Sequence, residues 1–170
     1  LIAALPWFDK ALAARPDDVP VIIEYAATLS DAGQARRALA LTRRALALVP
    51  DLPRAYYIQA VMAARAGEYD LSRTLLARTH GALDGRAATR LLRAVLHQQS
   101  GNATLAIEQL LPVLTEQPLN LRVRLLLARA YYQDGQYAQA DRTLFPIVER
   151  ADADSYALTL TARIQEALGQ

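Results

Sequence analysis

The stretch Val19–Leu52 reads VPVIIEYAATLSDAGQARRALALTRRALALVPDL, two runs with helical spacing of apolar residues on either side of Gly33. The rest of the chain repeats this arrangement with a period of 34 residues. Three rows of small residues keep that spacing: Gly33, Gly67, Gly101, Gly135 and Gly169; Ala26, Ala60, Ala94, Ala128 and Ala162; Ala4, Ala38, Ser72, Ala106 and Ala140. A fixed period of this length predicts a solenoid of helical repeats, an architecture suited to binding other molecules.

We number frame positions from Val19, which is position one of a 34-residue repeat. In each repeat a first helix precedes the glycine and a second helix follows it. The frame gives four complete repeats, flanked by a lone second helix and by a C-terminal first helix or cap: 19–52, 53–86, 87–120 and 121–154, with 1–18 before them and 155–170 after. The predicted fold is all-α, a right-handed solenoid of ten helices in one array over residues 1–170.

Repeat boundaries also carry local helix signals. Side chains that can accept the free N–H groups of the next helix occupy four boundary positions: Asp18, Asp51, Asn120 and Asp154. Pro20 and Pro53 suit a first helical turn, where no N–H group is needed. Each recurring glycine is expected to end a first helix in a left-handed conformation. The alanine row at frame position eight predicts the closest helix packing in each repeat.

The fourth repeat matches a known repeat pattern at six positions: Ala128, Tyr131, Gly135, Tyr137, Ala140 and Leu144. The first repeat adds Ala38, Ala45 and Pro50. On these residues the chain resembles the tetratricopeptide repeat proteins over its whole length. The resemblance implies a scaffold that holds a protein or peptide on the inner surface of the array. Family members that clamp a terminal carboxylate do so with a row of Lys and Asn side chains. The matching positions in this sequence are mostly apolar.

Two segments depart from a regular repeat. The aromatic residue expected at frame position four is Ile22, Tyr56, Arg90 and Arg124 in successive repeats. We expect the stems of the two arginines to pack while their charged ends reach water. The run His80-Gly81-Ala82-Leu83-Asp84-Gly85 predicts an early end of the second helix in the second repeat, and a flexible joint at that place.

Pro112 and Pro146, 34 residues apart, lie inside predicted second helices. Each proline removes a backbone hydrogen bond and crowds the carbonyl four residues back. Because the position recurs, we interpret it as an architectural bend and not as a functional switch.

The composition is that of a folded protein, with 53% hydrophobic and 21% charged residues. A formal charge of +2 does not predict a nucleic-acid partner, which needs clustered cations. The sequence has no Cys and no apolar run of the roughly 18 residues of a membrane span. Cytoplasm and periplasm therefore remain open, as does the oligomeric state. Since the chain starts mid-repeat at Leu1, we expect a segment of a longer protein.

Catalytic patterns are not found. His80 and His97, the only histidines, are 17 residues apart and form no H-E-x-x-H motif. The glycines are too widely spaced for a phosphate loop, and Asp152 and Asp154 are better explained as capping residues. We therefore expect a protein that is not an enzyme and that uses neither a metal nor another cofactor.

The first helices carry a second, mostly apolar stripe beside the alanine row. We call it the first-helix stripe, defined by frame positions two, five, nine and twelve. Its residues are Pro20, Ile23, Ala27 and Ser30; Arg54, Tyr57, Val61 and Ala64; Ala88, Leu91, Val95 and Gln98; Arg122, Leu125, Arg129 and Tyr132. We expect it to line the inner surface of the array. The candidate binding residues are Ile23, Arg54, Tyr57, Val61, Leu91, Val95, Gln98, Arg122, Leu125, Arg129 and Tyr132.

Two interpretations of this stripe remain open. Its apolar residues could complete the core, or they could form the floor of a groove whose arginines hold acidic or carboxylate groups of a partner. A separate basic cluster, Arg36, Arg37, Arg43 and Arg44, is expected to be a solvated outer face, with an anionic surface as the alternative.

The predicted function is a non-catalytic protein-interaction scaffold that binds a peptide or protein in the inner groove. The excess of Arg over Lys points to a bacterial source, and similar bacterial proteins serve in larger assemblies. The alternative is a regulatory or substrate-presenting arm of an enzyme whose catalytic domain lies outside this segment. RNA recognition by helical repeats would need polar base-reading pairs at positions that are Leu and Val here.

Overall fold

The computed structural model describes residues 2–149 and 155–169. A short 3-10 turn at Ile2–Ala4 leads into the first helix. Ten α-helices follow: α1 Leu5–Ala14, α2 Val19–Asp31, α3 Ala35–Leu48, α4 Pro53–Arg65, α5 Tyr69–Ala77, α6 Ala87–Gln99, α7 Ala103–Glu116, α8 Leu121–Gln133, α9 Tyr137–Val148 and α10 Ser155–Ala167. The described residues contain no strand, which confirms the predicted all-α fold. None of the described helices is long and apolar enough to cross a membrane.

Turns at the recurring glycines have the expected geometry. Gly33 has a φ of 74°, and nothing lies within 4 Å of a Cβ built on it, so the backbone conformation and not lack of space selects glycine. The N–H groups of Gly33 and Gln34 donate to the carbonyls of Ser30 and Leu29, at 3.1 and 2.8 Å. This pair of bonds ends the first helix and reverses the chain into the second.

Two of the four predicted caps are confirmed. Asp18 accepts a hydrogen bond from the Val21 N–H at 3.2 Å, and Asn120 accepts one from the Val123 N–H at the same distance. The prediction for Asp51 is wrong, because that residue takes a left-handed φ of 59° and the following Leu52 occupies the capping position. The Asp152 and Asp154 predictions lie outside the described residues.

The frame-eight alanine row is buried except at its last member, and its role as the closest helix contact stays a prediction. The first four alanines of the row have no exposed surface: Ala26, Ala60, Ala94 and Ala128. Ala162, on α10, is exposed.

The chain divides into two compact units, residues 1–84 and 85–170, which we call the N-terminal and C-terminal units. In the N-terminal unit, α2 packs on α3 and α4 packs on α5, around Ile22, Leu29 and Ala45. The C-terminal unit has α6 on α7, α8 on α9 and α10 on α9, with Leu110 and Leu144 completely enclosed. Each unit thus builds its core from successive helix pairs.

Second helices differ in length where the sequence predicted it. α5 has 9 residues, against 14 in α3 and α7, and the segment after it contains left-handed His80 and Gly81. The early end of this helix is confirmed. α7 and α9 continue beyond Pro112 and Pro146, and the bend expected at these prolines stays a prediction.

Candidate functional site

The first-helix stripe of the C-terminal unit lies on α6 and α8. Val95 and Arg129 are half-buried, and Arg122 is exposed. Gln98 does not belong to this surface, because it is only 5% exposed and its Nε2 donates to the carbonyl of Leu126 at 2.8 Å. The amide of Gln98 thus links α6 to α8 within the core, which corrects its expected role.

Leu91, Leu125 and Tyr132 are also half-buried, and they support the core from the stripe side. Leu91 packs against the cluster of α6, α7 and α8, whereas Leu125 and Tyr132 pack against the cluster of α8, α9 and α10. The ring of Tyr132 is tilted against that of Tyr137, with 5.6 Å between the ring centres. These three side chains therefore contribute to the core and leave part of their surface accessible.

The stripe continues onto α10, which the sequence interpretation left out of the candidate site. Tyr156, Thr159 and Arg163 occupy frame positions two, five and nine. Together with Ser155 and Leu160 they line a shallow, open pocket on the surface of α10. Extending the frame by one more helix would have found these residues from the sequence.

In the N-terminal unit one residue of the stripe belongs to the core and its arginine already has a partner. Ile23 is 2% exposed and belongs to the core, which corrects its expected place in the site. Tyr57 and Val61 are half-buried. Arg54 is exposed but forms an ion pair with Glu24 at 2.6 Å, so its guanidinium already has a carboxylate partner.

A second ion pair completes this pattern. Arg65 contacts Asp31 at 3.0 Å and donates to the carbonyl of Ser30 at 2.7 Å, near the end of α2. The four charged residues of α2 and α4 are therefore matched in two pairs between the helices. The first helices of the N-terminal unit offer no unmatched charge.

First helices of the C-terminal unit show the opposite arrangement. Their sequences contain two Arg in α6, three in α8 and one in α10, against a single acidic residue, Glu166 in α10. Within the described residues no ion pair is present for Arg122, Arg129 or Arg163. The frame position of Glu24 is occupied by Leu92 on α6, which removes the acidic partner that Arg122 would otherwise have.

A polar cluster in the N-terminal unit joins α1, α2 and α3. The Tyr25 hydroxyl donates to Asp9 at 2.6 Å and accepts from Arg37, while Phe8 stacks on the Tyr25 ring with 5.1 Å between centres. Burial and the hydrogen bond to Asp9 raise the pKa of Tyr25 above its ordinary value of 10.0. All the members are mutually satisfied, so the cluster is structural.

The basic cluster on α3 is partly used for such internal contacts. Arg37 belongs to the Tyr25 cluster, and Arg44 forms an ion pair with Asp17 at 3.1 Å. Arg36 and Arg43 are exposed, as expected for a solvated outer face. Of the two histidines, His80 is exposed and His97 is half-buried in α6.

Comparisons with known proteins agree with this architecture. Two tetratricopeptide repeat profiles match the sequence, over residues 26–88 and 98–164. A search of curated proteins finds no match.

Several solved structures have a similar fold. YrrB, described as a tetratricopeptide repeat protein with an unusual peptide-binding site, aligns with a TM-score of 0.75 at 17% identity, over 95% of this chain and 84% of its own. A chain of the Cut9–Hcn1 hetero-tetramer of the APC/C aligns with a TM-score of 0.81 at 16% identity, over 99% of this chain and 34% of its own. The type IV pilus biogenesis factor PilW aligns with a TM-score of 0.76 at 20% identity, over 98% of this chain and 78% of its own. At such identities the likeness shows the fold alone.

Proposed function

Because the chain belongs to the tetratricopeptide repeat family, a family of protein-interaction scaffolds, we propose that it is a non-catalytic module that binds a segment of a partner protein on its first-helix stripe. The proposal places the binding surface in the C-terminal unit, on α6, α8 and α10. It includes a role in a larger bacterial assembly, which the fold likeness to PilW and the described peptide-binding site of YrrB favour.

The observation that carries this proposal is the incomplete burial of the stripe beside fully buried neighbours. Ala94 and Ala128 at frame position eight have no exposed surface, while Val95 and Arg129 at position nine are half-buried. Apolar area left in water is unfavourable by roughly 25 cal/mol per Å², so a partner segment that covers it gains stability. The adjacent arginines add charge-assisted hydrogen bonds.

Selection of a displayed peptide library on the purified chain tests the proposal. Peptides selected on the wild type are then measured against Val95→Ser combined with Arg129→Ala. We chose these two residues because Leu91 and Leu125 also support the core, so replacing them would confuse folding with binding. The matched control is Leu105→Ser combined with Arg142→Ala, which changes two exposed outer residues of α7 and α9.

We expect the stripe variant to lose at least about tenfold in affinity, corresponding to the loss of one charge-assisted bond and one apolar contact. The outer control should bind like the wild type. Circular dichroism and thermal melts of both variants establish that they are folded. Selected peptides that bind the stripe variant normally and fail on the outer variant would refute the proposed surface.

A further inference from the structure

The charge pattern of the C-terminal unit specifies the chemistry of the segment it binds. Charges segregate between the two helix types: α6, α8 and α10 contain six Arg and one Glu, whereas α7 and α9 contain Glu108, Glu116, Asp141 and a single Arg142. The unit therefore has a cationic first-helix side. Because the stripe arginines have no acidic partner within the described residues, a ligand can satisfy them without displacing an existing ion pair.

Two of these arginines occupy equivalent places on neighbouring helices. Arg129 on α8 and Arg163 on α10 both stand at frame position nine. α8 and α10 are in direct contact, and Leu125 and Tyr132, one turn on either side of Arg129, pack against the cluster that includes α10. Helices in contact have axes about 8 to 10 Å apart, so the two guanidinium-bearing positions repeat at about that distance.

This spacing discriminates between backbone conformations of a bound segment. In a polyproline II segment, residues three apart lie on the same side and are separated by about 9.3 Å. In a β-strand, residues on the same side are separated by about 6.6 or 13.2 Å, which falls below or above the helix spacing. In an α-helix the nearest match, seven residues apart, is about 10.5 Å. The polyproline II segment matches best.

We propose that the C-terminal unit selects an acidic segment in polyproline II conformation, with two side-chain carboxylates three residues apart held by Arg129 and Arg163. This inference rests on the proposed function, because it specifies the ligand of the same stripe. Tyr156 lines the pocket beside Arg163 and contributes its hydroxyl group next to the second carboxylate, whereas the Thr159 hydroxyl already donates to the Ser155 carbonyl at 2.7 Å. Half-burial of Arg129 strengthens its bond to a carboxylate by limiting competition from water.

Synthetic peptides capped at both ends test the inference by fluorescence anisotropy. The principal probe contains Glu-Pro-Pro-Glu between identical apolar flanks. Three comparison peptides keep the flanks: Glu-Glu-Pro-Pro, which moves the carboxylates together; Gln-Pro-Pro-Gln, which removes them; and a helix-forming peptide with glutamates seven positions apart. A fourth, Gln-Pro-Pro-Gln with a free C-terminus, tests a terminal carboxylate as the group that is recognised.

We expect Glu-Pro-Pro-Glu to bind about tenfold more tightly than Glu-Glu-Pro-Pro and to weaken steeply with added salt. Arg129→Gln and Arg163→Gln should each remove most of that difference. Arg142→Gln on α9 and Arg54→Gln, whose side chain is already paired with Glu24, should leave it unchanged. Thermal melts show that each variant is folded.

Equal affinity for the spaced and adjacent glutamates, or tighter binding of the helical or free-carboxylate peptide, would overturn the inference. The library selection tests the proposed function separately. That function is wrong if peptides selected without regard to charge bind the Val95→Ser, Arg129→Ala variant as tightly as they bind the wild type. A third result separates the two proposals. If neutral library peptides bind through the stripe but the spacing of the glutamates has no effect on affinity, the proposed function holds and only the inference of an acidic segment is wrong.

Discussion

The two units are built from the same repeat but differ in whether the arginines of their first-helix stripes form ion pairs. In the N-terminal unit, Arg54 and Arg65 of α4 are matched to Glu24 and Asp31 of α2. In the C-terminal unit the first helices contain six Arg and one Glu, and the stripe arginines have no ion pair within the described residues. Both units nevertheless bury completely the frame-eight alanines of their complete repeats, Ala26 and Ala60 in the first and Ala94 and Ala128 in the second.

The contrast between the two units indicates that the core and the surface of a repeat vary independently. Close packing at frame position eight needs a small residue in each complete repeat, because a larger one would clash with the facing helix. Exposed positions carry no such restriction, since a surface ion pair contributes only about 0.2 to 1 kcal/mol. The charges of the C-terminal unit can therefore be arranged for a ligand without loss of the fold.

The largest effect is expected at the alanine row, where the two units should not differ. Ala26→Leu in the N-terminal unit and Ala94→Leu in the C-terminal unit should each destabilise the chain by about 1 to 3 kcal/mol through overpacking. Ala162→Leu and Ala88→Leu, at exposed positions, should stay within about 0.5 kcal/mol. Urea denaturation measures all four, and equal midpoints for Ala94→Leu and Ala88→Leu would show that the helix faces are wrongly assigned.

The next effect should be confined to the N-terminal unit. Tyr25→Phe removes the hydroxyl that joins Asp9 to Arg37 and should cost about 1 kcal/mol near neutral pH. Because the folded pKa of Tyr25 is raised, its contribution is complete below pH 10.0 and is lost as the pH rises through the folded pKa. Denaturation at alkaline pH should thus show a smaller loss of stability in the variant than in the wild type.

Matched substitutions of the arginines at frame position two, Arg54 and Arg122, compare ion pairing in the two units. Arg54→Gln should destabilise by about 0.2 to 1 kcal/mol, since Glu24 loses its partner, whereas Arg122→Gln should have no measurable effect. A double-mutant cycle of Arg54 and Glu24 isolates the pair energy. Destabilisation by Arg122→Gln as large as that by Arg54→Gln would mean that the two units do not differ in pairing.

The smallest effect is a pKa change in the C-terminal unit. Hydrogen bonds from Gln136 at 2.6 Å and Thr104 at 2.7 Å lower the pKa of Asp134 below its ordinary 3.8. A lowered carboxyl pKa contributes stability that is present above pH 3.8 and lost as the pH falls through the folded value. Gln136→Ala should raise the pKa of Asp134 in an NMR titration, while Gln139→Ala, at an exposed position of α9, should not.

Much of the fold was predictable because it depends on local and periodic signals. The glycine row gave the ends of the first helices, and the run at His80–Gly85 indicated the early end of α5. Asp51 was misassigned as a cap because its residue type was weighed and its register was not: it stands at frame position 33, one residue before the position that Asn120 occupies. The backbone adds that Asp51 has a left-handed φ of 59°, and Leu52, the last residue of the first repeat, occupies the capping position of α4.

The sequence predicted which frame positions form the candidate site, but it did not predict which of their side chains are accessible to a partner. Frame counting selected Ile23 and Gln98 together with Val95 and Arg129, although the first two are buried. Burial depends on which helices cover a position, and that varies between repeats of identical period. The same reasoning stopped at Tyr132 and omitted Tyr156 and Arg163, although the frame extends to them.

The repeat, the helix order and the buried row of small residues follow from the amino-acid sequence, because they depend on period, turn conformation and steric size. Its nearly balanced charge did not reveal which arginines are free. The folded structure was needed to show that Arg54 pairs with Glu24, whereas Arg129 and Arg163 form no ion pair among the described residues. Charge pairing depends on side chains from different helices meeting within about 4 Å, and linear spacing does not specify such meetings.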